Sequence, residues 1–237
     1  MSALSQLQQH LDHYWSLPTH EDAELKAKLH DVQAWQRARI QQTHSDVFEQ
    51  KKNKPMANYF LTQLYGGDEF QLLAKQLERI LPKAKRLESL TKESVLQTGS
   101  MAIQAAILAI ELDMHLAQWL IKENLEVNED NMLAAYRAVD EAEARRTQIN
   151  NLKEVCYRTD KYLNSFILRK VFSLTKGTAY RHNFQPLYDF IDAGFTAMKP
   201  LKSVGDFIEP FCKRELMIID QVHNMDNNDN KSAFDVS

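Results

Sequence analysis

Two cysteines, six glycines and six prolines in 237 residues exclude several architectures at once. Cys156 and Cys212 are too few for a disulfide scaffold and form no CxxC pair, so they read as buried thiols. A sheet protein of this length needs many more turn residues than the glycines and prolines present. The chain has no G-x-S-x-G, no P-loop and no G-x-G-x-x-G, which removes the common nucleotide and nucleophile-elbow chemistries. The opening segment MSALSQLQQHLDHYW lacks the basic and apolar regions of a secretory signal. The longest uncharged run, Ser94 to Ile110, is interrupted by Gln97, Thr98, Ser100 and Gln104 and falls short of a bilayer span. The expectation is a cytoplasmic protein without membrane insertion. Excess positive charge is missing too. A formal net charge of −3 argues against a general nucleic-acid or anionic-membrane binder while leaving room for a local basic patch. The basic groups at Lys51, Lys52 and Lys54, at Lys83, Lys85 and Arg86, and at Arg145 and Arg146 could contact phosphates and read more plainly as solvated helix faces.

Apolar residues at helical spacing fill the chain instead. Leu4, Leu7, Leu11 and Trp15 mark a first helix stopped at Pro18. Leu25, Leu29, Val32, Trp35 and Arg39 share a face of a second, which runs to about residue 50. Pro55 opens a third, and Gly66-Gly67 ends it, because glycine readily takes the left-handed backbone favoured at helix C-termini. Asp68 reads as the cap of a helix in which Pro82 introduces a kink or a split, and Thr91 as the cap of the next. That next helix, about 92–123, is apolar nearly all round and belongs at the centre of a bundle. Further helices are expected from Asp130 or Asn131 to Tyr157, from Asp160 to Gly177, over Pro186 to Met198, and from Ser203 through Val222 with Pro210 inside. The fold class is all-α: a single orthogonal or up-down bundle of about eight to nine helices around a central apolar helix. Residues 1–224 form the helical domain, and the polar tail 225–237 is expected to be disordered.

Three groups of residues could carry function. Glu111 and His115 lie four apart on one face of the central helix and could give two ligands to iron or another divalent metal, as in an oxidoreductase. No Glu-x-x-His of the di-iron type exists in the chain, and the plainer reading pairs Glu111, Asp113 and His115 with neighbouring groups such as Arg79 or Arg145. His10 and His13 lack further ligands at zinc spacing. Arg39 and Arg79 on largely apolar faces need carboxylate partners such as Glu78, Glu111, Asp113 or Glu215, and so mark a buried polar network or an anion site. Trp35, Tyr59, Phe60, Tyr65 and Trp119 could line a pocket or pack a core.

The segment YFLTQLYG, Tyr59 to Gly66, resembles the eponymous motif of the bacterial FFLEELY-motif proteins, an all-helical group without an established activity. AWQRARI with Trp35, Gln36 and Arg39 is similar to that group's Trp-Gln helix. ERILP (Glu78, Arg79, Pro82), ELD (Glu111 to Asp113), FIDAGF (Phe190 to Phe195) and RE (Arg214, Glu215) follow in the same order over residues 30–222. Thr62 and Gln63 stand where the group has two consecutive glutamates, so no carboxylate chemistry is carried over. The resemblance implies the helical fold and leaves Trp35, Tyr59, Phe60, Leu64, Tyr65 and Gly66 as a packing motif or partner surface. The functional expectation is a non-catalytic binding protein that meets a protein partner or a second copy of itself. No cofactor is expected outside the metal alternative.

Overall fold

The apolar stripes become eleven α-helices, and no strand forms among the described residues. The structure is a computed structural model and describes residues 2–64, 67–88, 93–224 and 232–234. In chain order the helices are α1 (Ala3–Trp15), α2 (Ala23–Thr43), α3 (Ser45–Phe48), α4 (Lys54–Tyr59), α5 (Asp68–Glu88), α6 (Glu93–Lys122), α7 (Glu129–Val139), α8 (Ala142–Leu163), α9 (Phe166–Arg181), α10 (Gln185–Met198) and α11 (Gly205–Asn224). Short polar caps set several starts: Asp22 accepts from the Leu25 amide at 3.0 Å and Asn128 from Asn131 at 3.0 Å. Each satisfies an N–H that the helix itself leaves open.

The helix count exceeds the eight to nine expected because two long runs divide. His44 separates α2 from α3, and Asp140, at φ 52° and ψ 47°, takes a left-handed conformation between α7 and α8. Neither break carries a glycine or proline. Asn128 caps α7 in place of the expected Asp130 or Asn131, and α8 runs past Asp160, leaving Ser165 to cap α9. Pro82 lies inside an undivided α5, and α9 continues through Gly177. Pro210 sits inside α11 as expected. The first turns after α4 widen into a π-helix, Phe60–Leu64, which lets the adjacent Tyr59 and Phe60 both face inward. Gly67 has φ +86°, the left-handed stop expected of the glycine pair, whereas Tyr65, Gly66 and Thr91 lie outside the described residues.

Helix α6 packs against α1, α2, α7 and α8. Among the described residues it alone is long and apolar enough, by length and composition, to cross a bilayer. Two apolar clusters form, the first of which takes in the buried face of α6. One joins Leu11, Val32, Phe70, Ile107, Leu116, Met132 and Val222; the other joins Ile40, Phe48, Phe60, Cys156, Phe207 and Phe211. Along α2, Val32 belongs to the first and Ile40 to the second. Along α11, Phe211 belongs to the second and Val222 to the first. Between them the buried polar residues include Gln36 on α2 and Glu215 on α11.

Three residues of the tail expected to be disordered are packed. Phe234 is buried, with its ring 5.1 Å from Trp35 and 5.8 Å from Tyr136, and Thr43 Oγ1 donates to its carbonyl at 3.4 Å. The remainder, 225–231 and 235–237, lies outside the described residues. A buried Phe→Ala change costs about 3–5 kcal/mol, but a terminal segment that lets go regains about 1–2 kcal/mol of backbone entropy per residue. Phe234→Ala is therefore expected to lower stability in denaturant unfolding by only about 1–2 kcal/mol. A deletion after Lys231 should match it, and unchanged stability in both would mean that the ring contributes nothing.

Candidate ligand-binding site

The polar layer between the two clusters is built from five helices. On α2 the stripe Leu25, Leu29, Val32, Gln36, Ile40 carries one polar residue in an apolar run, and the C-cap His44 continues it one turn on. Gln36 is 1 % exposed; its Nε2 donates to Asp113 Oδ1 on α6 at 3.2 Å and to the Tyr136 hydroxyl on α7. Arg39 donates through Nη1 to Glu215 Oε1 on α11 at 2.5 Å and through Nη2 to Gln36 Oε1 at 3.3 Å. The same Glu215 oxygen lies 2.7 Å from Nε2 of the fully buried His44. Arg145 on α8 donates to the Leu112 carbonyl at 3.1 Å, sits 3.5 Å from Asp113 and stacks over the Tyr136 ring at 4.3 Å.

Burial alone would raise the Glu215 carboxyl, but the charge of Arg39 and the hydrogen bonds from His44 and Arg39 outweigh it and hold Glu215 at about 2. Tyr136 moves the other way: burial pushes its phenol up. Two guanidinium groups thus face two carboxylates, Arg39 and Arg145 against Glu215 and Asp113. The layer is formally balanced, which is the condition for keeping charge inside a protein.

This layer floors a cavity of about 480 Å³. Its deep end is lined by Gln36, Arg39, Tyr136, Arg145 and Glu215, and its walls by residues such as Phe60, Leu73, Ile103, Leu152, Ile191 and Met198. Towards the N-terminal half of α6 the lining residues Leu96 and Ala102 are half-exposed and Gly99 is exposed, so the cavity opens between α6, α8 and α10. Ser100 lines it as well; this side chain is 2 % exposed, and its hydroxyl has no hydrogen-bond partner among the described residues. The size falls within the roughly 300–1,000 Å³ of small-molecule sites, and so does the character, an apolar wall with a few placed polar groups.

The residues singled out in the sequence divide. Arg39, Asp113 and Glu215 meet in the layer. Arg214 points the other way and grips Asp46 with two bonds, 2.6 and 3.0 Å, plus the Thr43 carbonyl at 2.6 Å. Arg79 is exposed, its guanidinium 5.8 Å from the Phe184 ring centre. It stands nine residues after the buried Phe70, about half a turn out of phase with the core face of α5.

Glu111 pairs with His13 at 3.1 Å and His115 with Glu141 at 2.8 Å, so the expected arginine partners are replaced by groups from α1 and the α7–α8 junction. Among the described residues no group of three or more His, Cys, Asp or Glu stands together as a metal site would need. Both thiols are buried, which pushes Cys156 and Cys212 up to about 12, away from the range of a nucleophile.

Of the aromatic motif, Tyr59 and Phe60 are buried and line the cavity, and Trp35 packs on Phe234. The Tyr59 hydroxyl donates to the Phe190 carbonyl at 3.1 Å. Its ring occupies the space a side chain at Gly194 would need: a Cβ there would lie 2.8 Å from the hydroxyl and 2.9 Å from Cζ. YFLTQLYG and FIDAGF therefore meet through Tyr59, which touches both Phe190 and Gly194. Of the two positions where the resembling group has glutamates, Thr62 is exposed and bonds the Asn58 carbonyl at 2.8 Å, and Gln63 lies on the cavity wall. The side chain of Leu64 is outside the described residues. Sequence reasoning missed His44, Tyr136 and Ser100 as site residues. For His44 the signal was present, since it extends the apolar stripe of α2.

The chain belongs to the DUF8198 family, described as a domain of unknown function, whose profile matches residues 16–229. No curated protein and no solved structure matches it.

Proposed function

We propose that this protein is a non-catalytic binding protein that encloses a neutral, largely apolar small molecule within one helical bundle wrapped around α6. The cavity is the observation that carries the reading. Protein interiors leave few voids larger than a water molecule. A mostly apolar cavity of about 480 Å³ with an opening is the kind of space a small organic molecule fills. Apolar walls give water few partners, which favours an organic occupant.

The floor selects against charge. An anion would have to compete with Glu215 and Asp113 for the two guanidinium groups, and a cation would face the reverse problem. A neutral molecule with a hydroxyl or carbonyl group meets neither, and the unpartnered Ser100 hydroxyl offers it a hydrogen bond. The metal or cofactor alternative at Glu111 and His115 has less behind it, because each residue is engaged by a different neighbour.

Solvent extraction of the natively purified protein, followed by mass spectrometry, is expected to release a neutral apolar compound near one per chain. The delipidated protein should take up N-phenyl-1-naphthylamine with a rise in fluorescence. Ala105→Phe, which places a ring in the cavity, should abolish that uptake and raise the melting temperature of the empty protein. No extracted compound together with no probe uptake by the wild type would end this reading.

A further inference from the structure

Helix α9 is the one element whose sequence and surroundings conflict. It has no buried residue: Leu168, Phe172 and Ala179 are half-buried on a narrow stripe, and every other position is exposed. Phe172 anchors it, stacked on Tyr188 with ring centres 4.4 Å apart and edge-on to Phe195 at 5.0 Å, and near its end the Tyr180 hydroxyl donates to Asp189 at 2.7 Å. On the outer side Phe166 is 71 %, Ile167 72 %, Val171 53 % and Leu174 73 % exposed. At spacings of one, four, seven and eight these four share a single helix face, so they form a contiguous apolar patch and not scattered surface residues.

Along α9 itself the charge is one-sided, while the carboxylate that Tyr180 bonds, Asp189, stands on α10. From Lys161 to Tyr188 the chain contains no Asp or Glu, while Lys161, Arg169, Lys170, Lys176 and Arg181 are all basic, in a protein whose net charge is −3. Lys170 lies within the apolar face, one turn from both Phe166 and Leu174. No ion pair neutralises Arg169, Lys170, Lys176 or Arg181 among the described residues. Lys176 instead sits 5.5 Å from the Tyr180 ring centre.

We propose that α9 is a docking surface for an anionic lipid bilayer, lying in the plane of the interface with Phe166, Ile167, Val171 and Leu174 in the acyl boundary and the basic side chains at the headgroups. An exposed apolar face flanked by lysine and arginine, on a helix that itself has no acidic residue, is the composition that interfacial helices use. A second copy of the chain is a poor occupant. A two-fold contact through this face brings its basic groups against one another, with Lys170 near the axis, and like charge at an interface is repulsive. Phe195, on which Phe172 rests, also lines the cavity, so a docked α9 sets the cavity rim at the lipid surface. The proposal stands on α9 alone and does not require the cavity to hold a ligand.

The test is co-sedimentation of the full chain with vesicles of phosphatidylcholine, alone or with one third phosphatidylglycerol. Binding is expected to the anionic vesicles only and to fall steeply as salt rises. Lys170→Glu and Arg181→Glu should each weaken it at least about fivefold, the loss expected from removing one charge at such a surface. Ile167→Glu/Leu174→Glu should abolish it with an unchanged melting temperature, since both side chains already face solvent. Equal binding to neutral vesicles, or variants that bind like the wild type, would overturn the proposal. So would absence of vesicle binding. A concentration-dependent dimer that the Ile167→Glu/Leu174→Glu variant dissolves would assign it to a second copy and overturn it equally.

Discussion

Glu215→Ala is expected to cost about 3–5 kcal/mol, enough to move the midpoint of thermal unfolding by roughly 6–20 °C for a chain of this size. Arg39 and His44 share the Glu215 carboxylate. Removing it leaves the His44 ring without a hydrogen bond among the described residues, because Nδ1 has no partner there and Nε2 loses its own. It also leaves the Arg39 charge in a medium where it was balanced. The penalty is the desolvation of the groups left behind, not the worth of the pair itself. Glu215→Gln keeps an acceptor near both partners and should lose less. A loss below about 1 kcal/mol in the alanine variant would mean that the layer relaxes to water, and that it is no structural floor.

The same residue predicts an acid limb. Glu215 lies at about 2 in the folded protein against an ordinary 4.5. Between those values the unfolded chain binds a proton there that the folded chain does not, so lowering the pH favours unfolding. The stabilisation is complete above pH 4.5 and is lost as the pH falls from there towards 2. Urea unfolding of wild type and Glu215→Gln across that window separates this group from the other carboxylates. The two curves should converge at the acid end.

Helix periodicity carried most of the fold because it depends only on spacing along the chain. It failed where a boundary depends on tertiary contacts. Asp140 adopts φ 52° without a glycine beside it, and the break at His44 exists because the ring is drawn into the layer by Glu215. Gly177 does not end α9: its added Cβ would meet nothing, so it is a tolerated helix glycine on an open face. In the site, Arg39, Asp113 and Glu215 could be named from the need of a buried charge for a partner. Arg79 was misplaced because its ERILP neighbours suggested a buried face, while the core stripe of α5 passes through Phe70, Leu73, Ala74 and Leu81 instead. Phe234 was an aromatic in a polar tail, a signal outweighed by the composition around it. Of the cavity, Tyr59 and Phe60 were legible as aromatics that could line a pocket; its size is a sum of volumes from many elements, which no spacing encodes.

The contact between Tyr59 and Gly194 should reverse the sign of one substitution. In an exposed helix interior, Gly→Ala stabilises by about 1 kcal/mol. Gly194 lies inside α10, yet Gly194→Ala is expected to destabilise by about 1–3 kcal/mol, because the new methyl drives into a phenol fixed by its bond to the Phe190 carbonyl. Tyr59→Ala alone should cost about 3–5 kcal/mol, since it deletes a buried ring and frees the Phe190 carbonyl. In the Tyr59→Ala background the space beside Gly194 is open, so adding Gly194→Ala should become neutral or favourable. The double-mutant cycle therefore predicts a coupling of roughly 2–3 kcal/mol, read from chemical denaturation of the four proteins. Additive losses would mean that the two motif segments are independent. A coupling of that size would mean that the aromatic of one segment and the missing side chain of the other are a single packing unit holding α4 against α10 at the cavity wall.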